Sequence, residues 1–494
     1  MQYGALPPYC IFCGMAMPSD CLKTRRRKTT VEREYLWDTY SDAQIEALEA
    51  FAKGYRQYLD AGKTERECVT ESVALAEAAG FRSLEPLIEH GERLRPGDRV
   101  YLNWMNKSLV LFILGEAPMQ SGMVLLGAHI DSPRIDIKQN PLYEEAGMAY
   151  LDTHYYGYIK KYQWVARNLA LHGVVNLKGG RTVRVAIGED ANDPVFCVTD
   201  LLPHIADDQL RKPAEKVVEG ESLDLLVGSR PLKGVEKEAV RAAILALLKR
   251  EYGIEEADFL SAELEAVPAG ASRDAGFDRS MIAAYGHDDR VCAYPSLRAM
   301  LDFPGTPART LCCVLTDKEE IGSYGATGMH AMFFENAVAE VYQLAEGFSE
   351  LGLRRALSRS VMLSSDVSSA FDPLYPEVFE KRNTAFLGRG VCFSKYTGSG
   401  GKGGSSDANS EFVARLREVL DDAGVRYQFS EIGRVDVGGG GTIAHLCARY
   451  GMNVIDAGVP VLSMHAPTEV ISKADLYEVY RCYRAFLGAP ERTE

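Results

Sequence analysis

No run in this 494-residue chain reaches the roughly 18–20 consecutive apolar residues that a membrane-spanning helix needs, so an integral membrane protein is not expected. Excess positive charge is also missing: 55 Lys and Arg stand against 69 Asp and Glu, a net charge of -14. Such a surface repels polyphosphate, which argues against nucleic-acid binding by the body of the chain. The two glycine-rich stretches, "YTGSGGKGGSSDAN" and "DVGGGGT", lack the order G-x-x-x-x-G-K-[ST] and its strand-then-helix setting, so a nucleotide phosphate cradle is not expected either. No internal repeat is evident. The 11 cysteines are odd in number and scattered, as at Cys68, Cys197, Cys392 and Cys482. That usage does not describe a disulfide framework and predicts reduced thiols in a cytoplasmic protein. A secretory signal is not expected, because the basic run follows the apolar "YCIFCGMAM" instead of preceding it.

What is present is an ordinary globular composition, 46% hydrophobic and 25% charged. At about 150 residues per domain, the length suggests two or three units. Residues 1–30 stand apart. Cys10 and Cys13 lie in "CIFC" and Cys21 follows, but a zinc site needs a fourth donor and the nearest histidine is His90. A disordered or artefactual extension is expected there. From Trp37, "SDAQIEALEAFAKGYRQYLDAG" has a cap signal and apolar residues at helical spacing, and "TERECVTESVALAEAAGF" repeats the pattern. "VYLNWMNKSLVLFILG" and "GMVLLGAHIDSP" then read as two strands, the second buried on both faces. The texture changes between about Arg134 and Gly276, where short β-like pieces and one long helix predict an inserted domain. The α/β texture then returns. The expected division is a catalytic domain in two parts, 31–133 and 277–494, around an insert at 134–276.

Apolar runs in this chain repeatedly end on the same residue types: His129 and Asp131, Asp288 and Asp289, Glu319 and Glu320, Asp366, and His465. In open α/β sheets, ligands bind beyond the carboxyl ends of the strands, so these residues could meet in one crevice. Mixed histidine and carboxylate sets suit zinc, manganese or cobalt, and a set with one shared carboxylate suffices for two ions. Taken singly, each residue has a plainer explanation. Asp288 and Asp289 could cap the following helix, and "EE" is commonly a charged turn. Recurrence carries the functional reading, since independent caps need not all follow buried runs and supply only His, Asp and Glu.

The segments "GAHIDSPR", "GHDDRVCAY", "TDKEEIGS", "SSDVSSAFDP" and "VLSMHAPTE", in that order, resemble the aspartyl aminopeptidase (aminopeptidase I) family of dinuclear zinc metallopeptidases over roughly Trp37 to the C-terminus. The resemblance implies a three-layer α/β/α zinc-peptidase domain with an inserted β-rich dimerisation domain. It also implies two zinc ions per subunit, with manganese or cobalt as substitutes. His129, Asp288, Glu320, Asp366 and His465 correspond to the metal ligands, with Asp288 bridging. Asp131 corresponds to the carboxylate that orients His129, and Glu319 to the general base for a water bridged by the two ions. His172 resembles a histidine that stabilises the oxyanion in a neighbouring subunit. The implied reaction removes the N-terminal residue of peptides, in dimers that assemble to a dodecamer. A deacylase or carboxypeptidase-like hydrolase on the same scaffold is the alternative. The glycine loops correspond to the substrate pocket, with Lys395 and Lys402 as candidate contacts. Asp372 stands where eukaryotic members carry histidine, which leaves a preference for acidic N-terminal residues open.

Overall fold

The computed structural model describes residues 34–489, and the expectations for residues 1–30 fall outside them. The two predicted helices form as Asp42–Ala61 and Glu65–Ala78. Each begins with a reciprocal capping box, Ser41 with Gln44 and Thr64 with Glu67, which satisfies amides that the first turn leaves unpaired. The stretch expected to be one strand from Val100 is instead a hairpin of Arg99–Trp104 and Ser108–Ile113. Within the three-residue connection Met105 and Asn106 both take positive φ, 54° and 53°, as the central pair of a tight turn closed by the Lys107 N–H on the Trp104 carbonyl. The long apolar run on either side, with Met105 in the turn, conceals the break.

Nine strands form the main sheet. Its centre is four parallel strands in the order Leu311–Thr316, Val124–His129, Val361–Ser364 and Asn453–Gly458. Successive side chains alternate between two cores. Leu126, Cys313, Leu315, Leu363 and Ile455 pack with helices Asp42–Ala61, His287–Leu301 and Lys473–Leu487. Leu125, Cys312, Val314, Met362 and Val454 pack with Phe333–Glu346 and Glu350–Ser358 on the other face. Helices thus cover both faces, which is why the central strands read as continuous apolar runs without polar alternation.

A six-stranded antiparallel sheet takes all its strands from Arg134 to Pro268 and has its own core around Trp164, Leu169 and Leu225. The fold is therefore α/β with a separate β-rich part. A third, five-stranded sheet includes Met281–Ala284, Pro460–Leu462 and Glu469–Ser472. The sequence led us to expect that the residues ending the apolar runs meet in one crevice at the carboxyl ends of strands. The structure gives the runs before Asp288 and His465 to this smaller sheet.

Candidate metal centre

His129 is the last residue of a central parallel strand, paired in register with Thr316 on the next. Beyond Thr316 the chain passes Lys318, at φ 67°, into a single 3-10 turn, Glu319–Ile321. That turn closes around Asp131: the Glu319 N–H donates to Asp131 Oδ1 at 3.1 Å and the Glu320 N–H to Oδ2 at 3.2 Å. Asp366 follows the third central strand. Its carbonyl lies so near Gly458 that a Cβ there would sit 1.9 Å from it, so the close approach needs glycine. Asp288 opens helix His287–Leu301 but is itself non-helical. No side-chain cap hydrogen bond forms at this helix start, and the two Asp288 oxygens face histidines instead. His465, at φ 63°, lies in the turn between two strands of the five-stranded sheet.

These distant residues converge. Asp288 Oδ1 is 3.1 Å from His129 Nε2, and its Oδ2 is 3.3 Å from His465 Nε2. Glu320 Oε2 lies 3.5 Å from His465 Nε2, and Glu319 Oε2 lies 4.0 Å from His129 Nε2. Asp366 offers a ligand atom within 4.8 Å of those of His129 and Glu319, and within the same distance of those of Asp288 and Asp289. The tautomers can be read from the partners. His129 Nδ1 is 3.0 Å from the Asp131 carbonyl and 3.4 Å from its carboxylate, and His465 Nδ1 is 2.8 Å from the Tyr158 carbonyl. Carbonyl oxygens only accept, so both Nδ1 atoms carry hydrogen, and in the neutral rings both Nε2 lone pairs face carboxylate oxygens. On both sides of Asp288 an Nε2 lies at hydrogen-bond distance from a carboxylate oxygen, a gap that a proton or a metal ion can close. Against the lowering effect of burial, hydrogen bonds to Asp131 and Asp288 raise His129, and the hydrogen bond to Asp288 with the Glu320 charge raises His465 to about 10. Glu320 Oε1 and both Asp289 oxygens are buried without a hydrogen bond. A divalent cation fits this set, because buried carboxylates are costly unless paired or metal-bound.

The same crowding moves the ionisations. Burial, with the charges of Asp131 and Asp288, pushes Glu319 up to about 7 against the pull of the two histidines. Burial and acidic neighbours raise Glu320, Asp366 and Asp289. Burial would also raise Asp288, but the two imidazoles facing it hold it below the usual carboxylate range.

Two supporting groups had no obvious sequence signal. Glu469 accepts the N–H of His465 on Oε1 at 2.7 Å and that of Asp288 on Oε2 at 3.0 Å, tying two otherwise unconnected backbones together. Tyr156 donates its hydroxyl to Asp131 Oδ2 at 2.8 Å. His287, beside Asp288, turns away from the cluster: it accepts from the Tyr55 hydroxyl at 2.7 Å and its Nε2 reaches the Ile282 carbonyl. Burial lowers it to about 3, so it stays neutral.

His172 is not brought to the cluster. It is buried in strand Leu169–Asn176, with Nδ1 2.9 Å from Glu67 and Nε2 3.1 Å from Glu189. Both nitrogens are engaged within this chain by these two carboxylates. The two glycine stretches do come together, as paired strands Gly398–Ser399 and Gly439–Gly440 beside a cavity of about 480 Å³. Lys402 lines it and lies 3.5 Å over the Tyr396 ring, while Lys395 is ion-paired to Asp407 at 2.7 Å. Asp372 accepts from the Leu374 N–H in its own turn and does not line this cavity.

The family model described as aminopeptidase I zinc metalloprotease (M18) matches residues 58–487. A relative from Clostridium acetobutylicum, named "Probable M18 family aminopeptidase 1", is 54% identical over 473 residues, covering 96% of this chain and 100% of the relative. The crystal structure of aminopeptidase I from Clostridium acetobutylicum superposes with a TM-score of 0.86 at 53% identity, covering 92% of this chain and 99% of that one. The M18 aminopeptidase of Thermotoga maritima gives a TM-score of 0.87 at 41% identity, with 93% and 99% covered. None of these relatives is described as a deacylase or carboxypeptidase. The chain belongs to the M18 aminopeptidase I family of zinc metalloproteases and is a metal-dependent aminopeptidase, a hydrolase.

Proposed function

We propose that each chain holds two zinc ions, one at His129, Asp288 and Asp366 and the other at Asp288, Glu320 and His465. The observation that carries this reading is the single Asp288 carboxylate facing two imidazoles, 3.1 Å from one and 3.3 Å from the other. When bound, zinc supplies Lewis-acid polarisation of the scissile carbonyl and a more acidic water, and manganese or cobalt suit the same ligands. Glu319 is the general base. Its Oε2 lies 4.0 Å from His129 Nε2, beside the ligand set, where it can take a proton from the attacking water and return it to the leaving amine. Asp131 fixes His129 through Nδ1 and positions Glu319 and Glu320 through their amides. The substrates are peptides with a free N-terminus.

Two measurements on one variant test this reading. Glu319→Gln should lower kcat by about 100- to 10,000-fold while keeping two zinc ions per chain by elemental analysis. Full activity in that variant would overturn the assignment of the base, and a single zinc in the wild type would overturn the paired site.

Residues 134–276 are proposed to be an inserted dimerisation domain within a catalytic domain of 31–133 and 277–494. Their separate core supports this, as do the exposed Leu201, Leu202, Ile205 and Leu210. Dimers that build a dodecamer are the proposed assembly. The cytoplasm is the proposed location, supported by eight described cysteines that form no disulfide with one another, seven of them buried. No described helix is long and apolar enough to cross a membrane.

A further inference from the structure

One strand end of the six-stranded sheet touches the metal cluster at three consecutive residues. Strand Met148–Tyr156 pairs antiparallel with Arg134–Glu145, and its last residue lies opposite Arg134. The Tyr156 hydroxyl donates to Asp131 Oδ2. Gly157 follows at φ 76°, and a Cβ there would meet Pro133 Cβ at 3.3 Å and Glu320 Cβ at 3.5 Å. The Tyr158 carbonyl then accepts the Nδ1–H of His465 at 2.8 Å.

The Asp131 carboxylate is fully committed. Oδ1 faces the Glu319 N–H and His129 Nδ1, and Oδ2 takes the Glu320 N–H and the Tyr156 O–H. An ionised carboxylate has about four lone-pair sites, so each partner fixes the angle at which the others are met. Tyr156 is held in turn by the Arg134 guanidinium, 3.8 Å from its ring centroid. Arg134 is buried and anchored from three elements, by Glu65 at 3.3 Å, Asp136 at 2.8 Å and Glu265 at 3.2 Å.

We infer that Tyr156–Gly157–Tyr158 is a positioning strut, through which the six-stranded sheet sets the orientation of both cluster histidines and of the Glu319–Glu320 turn. Tyr156 acts through Asp131 and the Tyr158 carbonyl acts on His465 directly. Gly157 supplies the positive φ and the clearance that let one strand end reach both. The inference rests on the roles assigned above to His129, His465 and Glu319.

Tyr156→Phe removes one oxygen and keeps the ring under Arg134. It should lower kcat and weaken zinc binding by chelator competition, each by about 10- to 100-fold, with KM changed less than about twofold. The visible spectrum of the cobalt-substituted variant should differ from wild type. Gly157→Ala leaves the hydroxyl in place but displaces its carrier, and should show the same losses with the spectrum altered as well. Either variant, recovered folded, with wild-type kcat, zinc affinity and cobalt spectrum would overturn the strut, even if it melts at lower temperature. Glu319→Gln run alongside separates the two levels: if it stays active the site assignment fails, whereas if it is inactive and Tyr156→Phe is normal, only the strut fails.

Discussion

At the scale of the residue, adjacent glutamates have different work because one turn points them apart. Glu319 Oε2 lies near His129 and Glu320 Oε2 near His465, while both amides hang on Asp131. Glu320→Gln should therefore lose zinc along with activity, as elemental analysis would read, in contrast to Glu319→Gln. Glu469 is a second residue-scale case. Its two oxygens serve two backbone amides, and an amide side chain can accept on only one atom. Glu469→Gln should weaken zinc binding by about 10- to 100-fold, measured by chelator competition, although Glu469 touches no metal in our assignment. The donors themselves were legible in the sequence, because His, Asp and Glu at the ends of apolar runs are a chemical statement. Glu469 and Tyr156 were not, because a hydrogen-bond acceptor 181 residues from its donor leaves no local pattern.

At the scale of the element, strand ends and the joints between elements decide stability. Gly458 closes a central strand against the Asp366 carbonyl, where an added Cβ would clash with backbone. Gly458→Ala should destabilise the protein by about 1–3 kcal/mol in thermal denaturation and reduce activity through Asp366. His172 joins the strand Leu169–Asn176 to Glu67 in helix Glu65–Ala78 and to Glu189. Burial would lower its pKa, but hydrogen bonds to Glu189 and Glu67 overcome this and push it up to about 9 from 6.5. The folded state thus holds that proton more tightly than the unfolded chain. The stabilisation, on the order of 3 kcal/mol, is complete below about 6.5 and is lost as pH rises through 9. His172→Gln should accordingly melt well below wild type at pH 6 and close to it at pH 10. Helices with capping boxes were readable ahead of the structure because their signals lie within four residues. The hairpin at Met105 and Asn106 was not, because its turn carries no glycine and interrupts an apolar run.

For the whole molecule, the arrangement concentrates charge that the fold alone does not balance. Asp288, Asp289, Glu319, Glu320 and Asp366 crowd one site, where burial pushes every carboxyl up and only at Asp288 do the facing imidazoles reverse it. Chelation should lower the melting temperature and added zinc should restore it. Metal binding requires deprotonated ligands, so the gap between metal-free and zinc-loaded protein should widen from pH 6 to pH 8, as paired thermal scans would show. Assembly is tested at the same scale: size-exclusion chromatography with light scattering should give a mass many times that of one chain, and a stable active monomer would contradict the proposed dodecamer.

The sequence by itself determined the residue types, their order and the apolar runs that carry them, because secondary structure and donor chemistry follow from local composition. It also carried the family, through five ordered segments. Only the tertiary structure decided that Asp288 and His465 come from a smaller sheet, that Glu469 ties them together, that His172 pairs with Glu67 and Glu189, and that a strand end of the six-stranded sheet reaches both cluster histidines. Those outcomes depend on sheet order and on the close packing of backbones hundreds of residues apart, and chain-local chemistry does not encode such distances one segment at a time.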